Sequence, residues 1–213
     1  MKFFKRDWVI DKLSDVIIVI FSITIAFQLN SWKERSQQNK KTENILSQLK
    51  SDIQSDGDRI QQLIKGHEKK VKVMENYLQL LNDKKMTGQQ FFEMHQVMNS
   101  TSSLTLKKTN YNVVLSTGDL YLIHDKDLMK DIIEYYNSEK ESEFYEKNEI
   151  ERLNEFNTML FDEYLLGSNE LPQKVIKTIG FKNVMLVFNY NLQLKIGEYK
   201  QLLNRNKKLL EKM

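Results

Sequence analysis

Hydrophobic and polar residues divide the chain into two parts. Residues 16–27 read VIIVIFSITIAF, and their two polar side chains, Ser22 and Thr24, are of the kind that bonds to the backbone of its own helix. From residue 45 onward, apolar residues instead recur every three or four positions among charged ones, which is the period of an amphipathic helix. We therefore expect an all-α protein in which one N-terminal transmembrane helix continues into a long helix and then an antiparallel helical bundle.

The flanks of the apolar run favour a membrane span. Trp8 and Trp32 are the only tryptophans, and a helix between them is about 36 Å long, against a hydrocarbon layer of about 30 Å. Aromatic residues are enriched at membrane interfaces, so both are predicted interface residues. Basic residues flank the run at Lys5, Arg6, Lys12, Lys33, Arg35, Lys40 and Lys41. We predict an N-terminal tail at residues 1–12, a transmembrane helix at 13–32 and an extramembrane domain at 33–213.

Two alternatives to a retained span stay open. A short apolar run also occurs in cleaved signal peptides and in buried helices of globular proteins. A signal peptide is disfavoured because the following QLNSW lacks the small-x-small cleavage pattern, and because Asp7, Asp11 and Asp15 lie in what would be its basic region. A buried helix is disfavoured by the paired tryptophans and the flanking charges.

The extramembrane domain begins with a long helix that has coiled-coil character. Asp56 occupies a position of its apolar stripe, and Gly57 and Gly66 lie nearby. Glycine disfavours a helix by about 1 kcal/mol relative to alanine, so we predict that the helix is bent or weak there. The stripe consists of Ile45, Leu49, Ile53, Ile60, Leu63, His67, Val71, Met74, Leu78 and Leu81.

Two short helices are predicted next. The pattern of the long helix breaks at residues 82–86, and Thr87 and Gln90 then have the spacing of a capping box that opens a second helix. Residues 100–108 are expected to form a loop. Gly118 is placed to end a third helix in the left-handed conformation.

Two long helices complete the predicted bundle. Asp125 is placed to cap a helix that ends near Gly167, and a final helix follows Pro172, the only proline. The scarcity of proline and glycine favours long helices over a β-rich fold. The apolar stripes of these helices can be buried only against one another, which predicts an antiparallel arrangement.

Charge and cysteine content exclude several classes of function. The 32 basic and 29 acidic residues are spread along the chain and give a net charge of +3. No segment has the dense basic stripe that phosphate binding requires, so we expect no nucleic acid partner. The chain contains no cysteine, which excludes disulfides, thiolate metal sites and cysteine nucleophiles.

Residues that commonly bind metals are present but are not spaced as a site. We expect His67, His95 and His124 to be ordinary surface or partly buried histidines, since they lie in separate elements with no i, i+4 pair. A run of glutamates is interleaved with basic residues, which is typical of a solvated helix face. We therefore predict neither a metal nor a cofactor. The glutamates are Glu139, Glu141, Glu143, Glu146, Glu149 and Glu151.

The segment STGD is the one place that resembles a phosphate-binding or nucleophilic turn. Ser116, Thr117, Gly118 and Asp119 lack the further glycines and the Lys-Ser or Lys-Thr of a phosphate loop, and no base is placed beside the serine. We interpret the segment as a helix stop. A contact with a ligand or partner at an exposed loop is the alternative.

Two further groups have a structural and a functional interpretation. One is aromatic and is interpreted as core rather than as the lining of a pocket: Tyr111, Tyr121, Tyr135, Tyr136, Phe144 and Tyr145. The other is basic and is interpreted as complementing the negative end of the last helix, with attraction to anionic lipid as the alternative: Arg205, Lys207, Lys208 and Lys212.

Two blocks, DVIIVIFSITIAFQLNSWKE and TNYNVVLSTGDLYLIHDKDLMKDIIEYY, resemble a family of uncharacterised single-span membrane proteins from Gram-negative bacteria. That family has an Ala-Leu-x-x-Asn-x-Trp-like motif at the end of its span and a Tyr-x-x-Leu-x-Ser-x-Gly-like segment before an Ile-x-x-Tyr-Tyr helix. Phe27 replaces the usual leucine, and Ser14-Asp15 stands near the place of a Gly-Glu pair that often opens the span. The resemblance implies the architecture and no activity. The matching residues are Ala26, Asn30, Trp32, Tyr111, Ser116, Gly118, Ile132, Tyr135 and Tyr136.

These features predict a non-enzymatic protein: a membrane-anchored helical scaffold that is an accessory subunit of an envelope assembly. The alternative is an extracytoplasmic ligand-sensing bundle, which by sequence lacks an output domain. An enzyme is disfavoured because no acid, base and nucleophile converge. We expect the lipid bilayer and either a protein partner or a second copy as partners.

Orientation and association of the span are also predicted. Early basic residues in the N-terminal tail favour a cytoplasmic N-terminus in the inner (cytoplasmic) membrane, with the bundle in the periplasm. Ser22 and Ala26 form a small-x-x-x-small pair, and Asp15 lies seven residues before Ser22 on the same stripe. We predict that this stripe associates with another span.

Overall fold

The computed structural model describes the backbone of residues 6–164 and 176–213 and the side chains of 16–158 and 176–213. Within these ranges the chain is helical and contains no β-strand, as predicted. The α-helices are α1 (Arg6–Asn82), α2 (Gly88–Asn99), α3 (Thr109–Ser116), α4 (Lys126–Asn137), α5 (Glu139–Tyr164) and α6 (Ile179–Lys212), and a 3₁₀ turn covers Asp119–Leu122.

Helix α1 is continuous from the apolar segment into the domain. Its 77 residues correspond to about 115 Å at 1.5 Å per residue. The helix is not interrupted near Asp56, Gly57 or Gly66, and the predicted bend or weakness there stays a prediction. Asp56 is buried and accepts hydrogen bonds from the amide of Lys107 and the hydroxyl of Tyr135, and Gly57 is buried with Asn206 of α6 packed against it.

Helix α6 packs antiparallel along α1 and forms the largest interface of the bundle. The order of contacts gives the direction: Gly57 lies against Asn206, Glu68 pairs with Lys200, and Lys70 lies over the ring of Phe188. Both helices place an apolar stripe toward the interface, and the stripe residues Leu49, Ile53, Ile60, Met74, Phe188 and Leu192 have no exposed surface. This confirms the predicted antiparallel bundle.

The predicted helix ends are confirmed where the structure describes them. Thr87 and Gln90 form the capping box of α2. Gly118 adopts the left-handed conformation, with φ of 73°, directly after α3. Asp125 caps α4 by accepting from the amides of Asp127 and Leu128.

The helix that Asp125 caps is not the single long helix predicted. It ends at Asn137, and α5 begins at Glu139. Ser138 separates them because its hydroxyl donates to the carbonyl of Tyr135 (2.6 Å), which competes with the backbone bonds of a helix. The predicted ending at Gly167 and the connector at Pro172 lie outside the described residues.

Candidate functional site: apolar segment, polar turn and buried charge cluster

The apolar part of α1 is not covered by any other described part of the chain. Its large side chains between Val16 and Trp32 are each at least 45% exposed, although they point in all directions around the helix. Among the described residues, α1 is the one helix long and apolar enough to cross a membrane. A helix that is apolar all round and uncovered by protein needs an apolar environment. A signal sequence meets the same criterion, so retention of the segment belongs to the proposal below.

The polar residues of this segment are satisfied within the helix, as their positions predict. The hydroxyl of Ser22 donates to the carbonyl of Ile18 and that of Thr24 donates to Ile20, each at 2.8 Å. Trp32 is 70% exposed. The side chains of the other predicted anchor residues, Trp8 and Asp15, lie outside the described residues.

A polar turn of the bundle is attached to α1 at Lys41. The ammonium of Lys41 donates to a carboxylate oxygen of Asp119 at 2.6 Å, and the hydroxyl of Thr42 donates to the carbonyl of Leu122 at 3.3 Å. Thr117 also donates to Asp119, at 2.8 Å. These bonds hold the 3₁₀ turn against α1, about 14 Å beyond Trp32 along the helix.

This turn is where the structure places the predicted STGD segment. Ser116 and Thr117 end α3 with hydroxyl bonds to the carbonyl of Val113, and Gly118 makes the left-handed turn. The interpretation as a helix stop is confirmed. Asp119 adds a role that the sequence analysis did not predict, since its partner Lys41 is 78 residues away.

A buried cluster of three charges lies farther along the bundle. The carboxylate of Glu149 accepts from Lys70 at 3.0 Å and from Lys195 at 2.7 Å, and all three side chains are at most 7% exposed. Burial opposes ionisation of Glu149, but the two ammonium groups outweigh it and hold the pKa of this carboxyl below its usual value. The cluster joins α1, α5 and α6 and carries a formal charge of +1.

The same lysines bind backbone carbonyls at the end of α2 and directly after it. Lys70 donates to the carbonyls of Met98 and Ser100 at 3.0 and 3.1 Å, and Lys195 donates to the carbonyl of Ser102 at 2.9 Å. These carbonyls have no helical partner, so each charge also satisfies backbone groups that burial would otherwise leave unpaired.

Carboxylates bind the next residues of this segment through their amides. Leu104 donates its amide to Glu146 and Leu106 donates its amide to Glu139, both at 2.7 Å. The side chains of Leu104 and Leu106 are buried and those of their neighbours, including Thr105, are exposed. Residues 100–108 therefore form the predicted loop, and charged side chains hold this loop in place.

Two buried groups beside this segment have strongly shifted pKa values. Burial raises the pKa of Asp56 to about 6, although the amide of Lys107 and the hydroxyl of Tyr135 donate to it. Burial lowers the pKa of His67 to about 4, and the nearby charge of Lys195 acts in the same direction. The Nε2 atom of His67 is buried without a hydrogen-bond partner among the described residues.

The glutamate run is only partly the solvated face that was predicted. Glu141, Glu143 and Glu151 are exposed, but Glu139 and Glu149 are buried. The prediction is wrong for the buried pair because their partners come from α1, α6 and the loop at residues 100–108, which a sequence pattern within α5 does not show. A signal was present for one of them: Glu149 lies four and seven residues before the buried Leu153 and Phe156.

The aromatic group is also divided. Tyr111, Tyr135 and Tyr136 are core residues, as predicted, and the rings of Tyr111 and Tyr136 stack at 4.2 Å. Tyr121 and Phe144 are instead 83% and 60% exposed, so the prediction of a core position is wrong for them. Tyr121 follows the buried Leu120 in the 3₁₀ turn, but its own side chain is exposed to solvent.

Of the basic group near the end of α6, Arg205 pairs with Glu141 at 2.8 Å and Lys212 pairs with Asp131. These two cations therefore bind neighbouring helices, a role that was not predicted from the helix dipole. The three histidines lie in separate places, and no group of three or more candidate ligands is arranged for a metal ion among the described residues.

Comparison with known proteins gives no relative: no family model, curated protein or solved structure matches the chain. The resemblance to uncharacterised single-span membrane proteins therefore stays a prediction.

Proposed function

We propose that this chain is a membrane-anchored helical scaffold: residues 13–32 are a retained transmembrane helix, and residues 33–213 hold a bundle at the membrane surface as an accessory subunit of an envelope assembly. The observation that carries the proposal is the continuity of α1. One helix contains the uncovered apolar segment and supplies the buried stripe of the bundle, so the position of the bundle follows that of the anchor.

The bundle offers a surface for a protein partner on α6. Val187, Tyr190 and Leu194 lie three and four residues apart on its outer side and are 43%, 60% and 38% exposed. Apolar side chains at this spacing form one stripe, and such stripes on a soluble surface are typical of interaction sites. Gln201 lies on the same side and is polar and exposed, so it provides a matched control.

The proposal is tested by the size of the complex that full-length protein forms after mild detergent extraction from its native membrane. We expect a complex larger than the monomer, which the double substitution Tyr190→Ser/Leu194→Ser disrupts and Gln201→Ser does not. Unchanged helical content would show that both variants are folded. A wild-type chain that is always extracted as a monomer contradicts the scaffold function.

We further propose the inner-membrane orientation with a cytoplasmic N-terminus and a periplasmic bundle, which the early basic residues support. The absence of native cysteine makes this testable with Ser51→Cys, an exposed position of α1 within the domain. A membrane-impermeant maleimide that reaches the periplasm is expected to label it in intact cells. Labelling only after lysis would reverse the orientation.

Self-association of the span is compatible with the bundle. At about 100° per residue, Ser22 and Ala26 have nearly the same angular position around the axis of α1 as the exposed Lys69. The buried Leu49 and His67 lie on the opposite side of the helix. The bundle therefore leaves this stripe free for a second span, and packing of small residues would supply the energy.

The association is tested by disulfide crosslinking of single cysteines in the intact protein. We expect Ser22→Cys to crosslink and Ile23→Cys, one position around the helix, to crosslink less. Equal or absent crosslinking at both positions would remove the case for a homodimer.

A further inference from the structure

The bundle presents an exposed aromatic residue at the end nearest the anchor. Tyr121 is 83% exposed and lies in the 3₁₀ turn that Asp119 and Leu122 attach to Lys41 and Thr42 of α1. An aromatic ring this exposed has no role in the core of the domain. Tyrosine is one of the two residue types enriched at the membrane–water interface, where its ring enters the headgroup layer and its hydroxyl stays hydrated.

The length of α1 places this turn close to the headgroups. If Trp32 lies at the interface, Lys41 follows about 14 Å farther along the axis, and the headgroup layer takes up about 5 to 8 Å of that distance. Side chains of a helix tilt toward its N-terminus, so the ammonium of Lys41 and the Asp119 that it binds lie nearer the membrane than the Lys41 backbone. Transmembrane helices are tilted by about 20° on average. If α1 leans toward the side that carries the turn, this tilt brings the turn closer to the headgroups.

A second exposed apolar residue lies at the same end. Leu115, in the last turn of α3, is 54% exposed and precedes the left-handed Gly118. Both residues are therefore on the end of the bundle nearest the apolar segment, while Lys212 near the end of α6 pairs with Asp131 in the middle of α4.

We propose that the 3₁₀ turn is a second membrane contact, in which Tyr121 inserts into the headgroup layer and fixes the bundle against the bilayer surface. This inference rests on the proposed span and deepens it: α1 anchors the protein, and Tyr121 sets the angle at which the rigid helix leaves the membrane. The occupant of this surface is the phospholipid bilayer, and neither a soluble ligand nor a protein is required.

The test uses one tryptophan at a time in the full-length protein reconstituted into vesicles of phosphatidylcholine and phosphatidylglycerol. Native tryptophans are replaced by phenylalanine, and the probe is placed by Tyr121→Trp, or by Phe144→Trp as control. Phe144 is also an exposed aromatic residue but lies roughly 35 Å farther from the membrane, near the level of His67. A third protein retains only Trp32. The quencher is a lipid with a nitroxide on its headgroup.

We expect the quencher to reduce the emission of the probe at position 121 about as strongly as that of Trp32, and to leave the probe at position 144 unchanged. Quenching of Trp32 with none at position 121 would overturn the second contact and leave the span intact. Equal quenching at positions 121 and 144 would also overturn it. No quenching at Trp32 would contradict the span itself and the second contact with it.

Discussion

At the scale of single residues, the stability of the bundle depends on charges that it buries. Glu149 is the only acidic side chain that neutralises Lys70 and Lys195 within the described residues, and both lysines also hold the backbone after α2. Removing one partner of a buried ion pair leaves an uncompensated charge, which costs far more than losing an exposed pair.

We therefore predict that Glu149→Gln destabilises the protein by about 3 to 5 kcal/mol. The control is Glu143→Gln on the exposed side of the same helix, which is expected to change the free energy of unfolding by less than about 0.5 kcal/mol. Urea unfolding of full-length protein in detergent micelles, followed by circular dichroism, measures both. Similar values for the two variants would show that the buried cluster contributes little.

Removing the charge of Asp56 is predicted to stabilise the protein at neutral pH, whereas removing that of Glu149 destabilises it. Its folded pKa is about 6 and its ordinary value is 3.8, so the folded state binds the proton more tightly. Stability from this group is therefore fully present below pH 4 and is lost as the pH rises from about 4 to 6. The difference of about two pKa units corresponds to roughly 3 kcal/mol at most.

We expect Asp56→Asn, which cannot ionise but still accepts a bond from the amide of Lys107, to be more stable than wild type at pH 7.5. The two proteins should converge toward pH 4, because Asp56 is then protonated. Unfolding curves at the two pH values measure the difference. His67 destabilises both proteins equally as the pH falls from 6.5 toward 4, so it cancels in the comparison. The account is contradicted if Asp56→Asn is less stable than wild type at pH 7.5 and this loss of stability is larger than at pH 4.

At the scale of elements, the fit of α6 against α1 depends on a glycine. A Cβ atom added at Gly57 would lie 2.6 Å from the side-chain oxygen of Asn206. Asn206 is buried and cannot move freely, because its amide donates to the carbonyl of Ile53 and to the hydroxyl of Tyr135. A Cβ added at Gly66, nine residues farther along the same helix, would meet nothing within 4 Å.

We predict that Gly57→Ala destabilises the bundle by about 1 to 3 kcal/mol, as overpacking usually does. Gly66→Ala should instead stabilise it by up to about 1 kcal/mol, because alanine favours the helix and no contact opposes it. Thermal unfolding of both variants gives the sign of each change. Stabilisation by Gly57→Ala would contradict the close packing described here.

The elements themselves were largely predictable, since they depend on signals that are local in sequence. The capping box at Thr87, the left-handed Gly118 and the apolar stripe of α1 each reflect residues a few positions apart. The interruption at Ser138 was not predicted, because a serine within a helix is usually tolerated. Here the interruption coincides with the bond from the Ser138 hydroxyl to the carbonyl of Tyr135.

The polar cluster was not predictable for the opposite reason. Lys70, Glu149 and Lys195 are 46 or more residues apart, and charged residues are normally exposed. A weak signal was present in α6, where Lys195 lies between Leu192 and Tyr199 at helical spacing and so falls on the buried stripe. The alternation of Leu104 and Leu106 was a similar signal that the loop at residues 100–108 packs against the core.

At the scale of the whole molecule, the protein has one long helix with two environments. Its first part is apolar and uncovered, and the part after Lys41 is covered by the bundle on one side. Residues 33–40 between them are polar and mostly exposed. The proposed scaffold function requires that the first part stays in the bilayer.

The most direct test of the proposed anchor compares two single cysteines in native membranes, Ser22→Cys in the apolar segment and Gln38→Cys in the polar part that follows. Both positions are exposed in the described chain, so any difference in access must come from what surrounds the protein. A hydrophilic maleimide needs the thiolate in water, so a cysteine within the bilayer is protected. The account predicts labelling at position 38 without detergent and at position 22 only after denaturation, with the full-length mass retained. Equal labelling at both positions in native membranes, or loss of the segment from the mature chain, would contradict it.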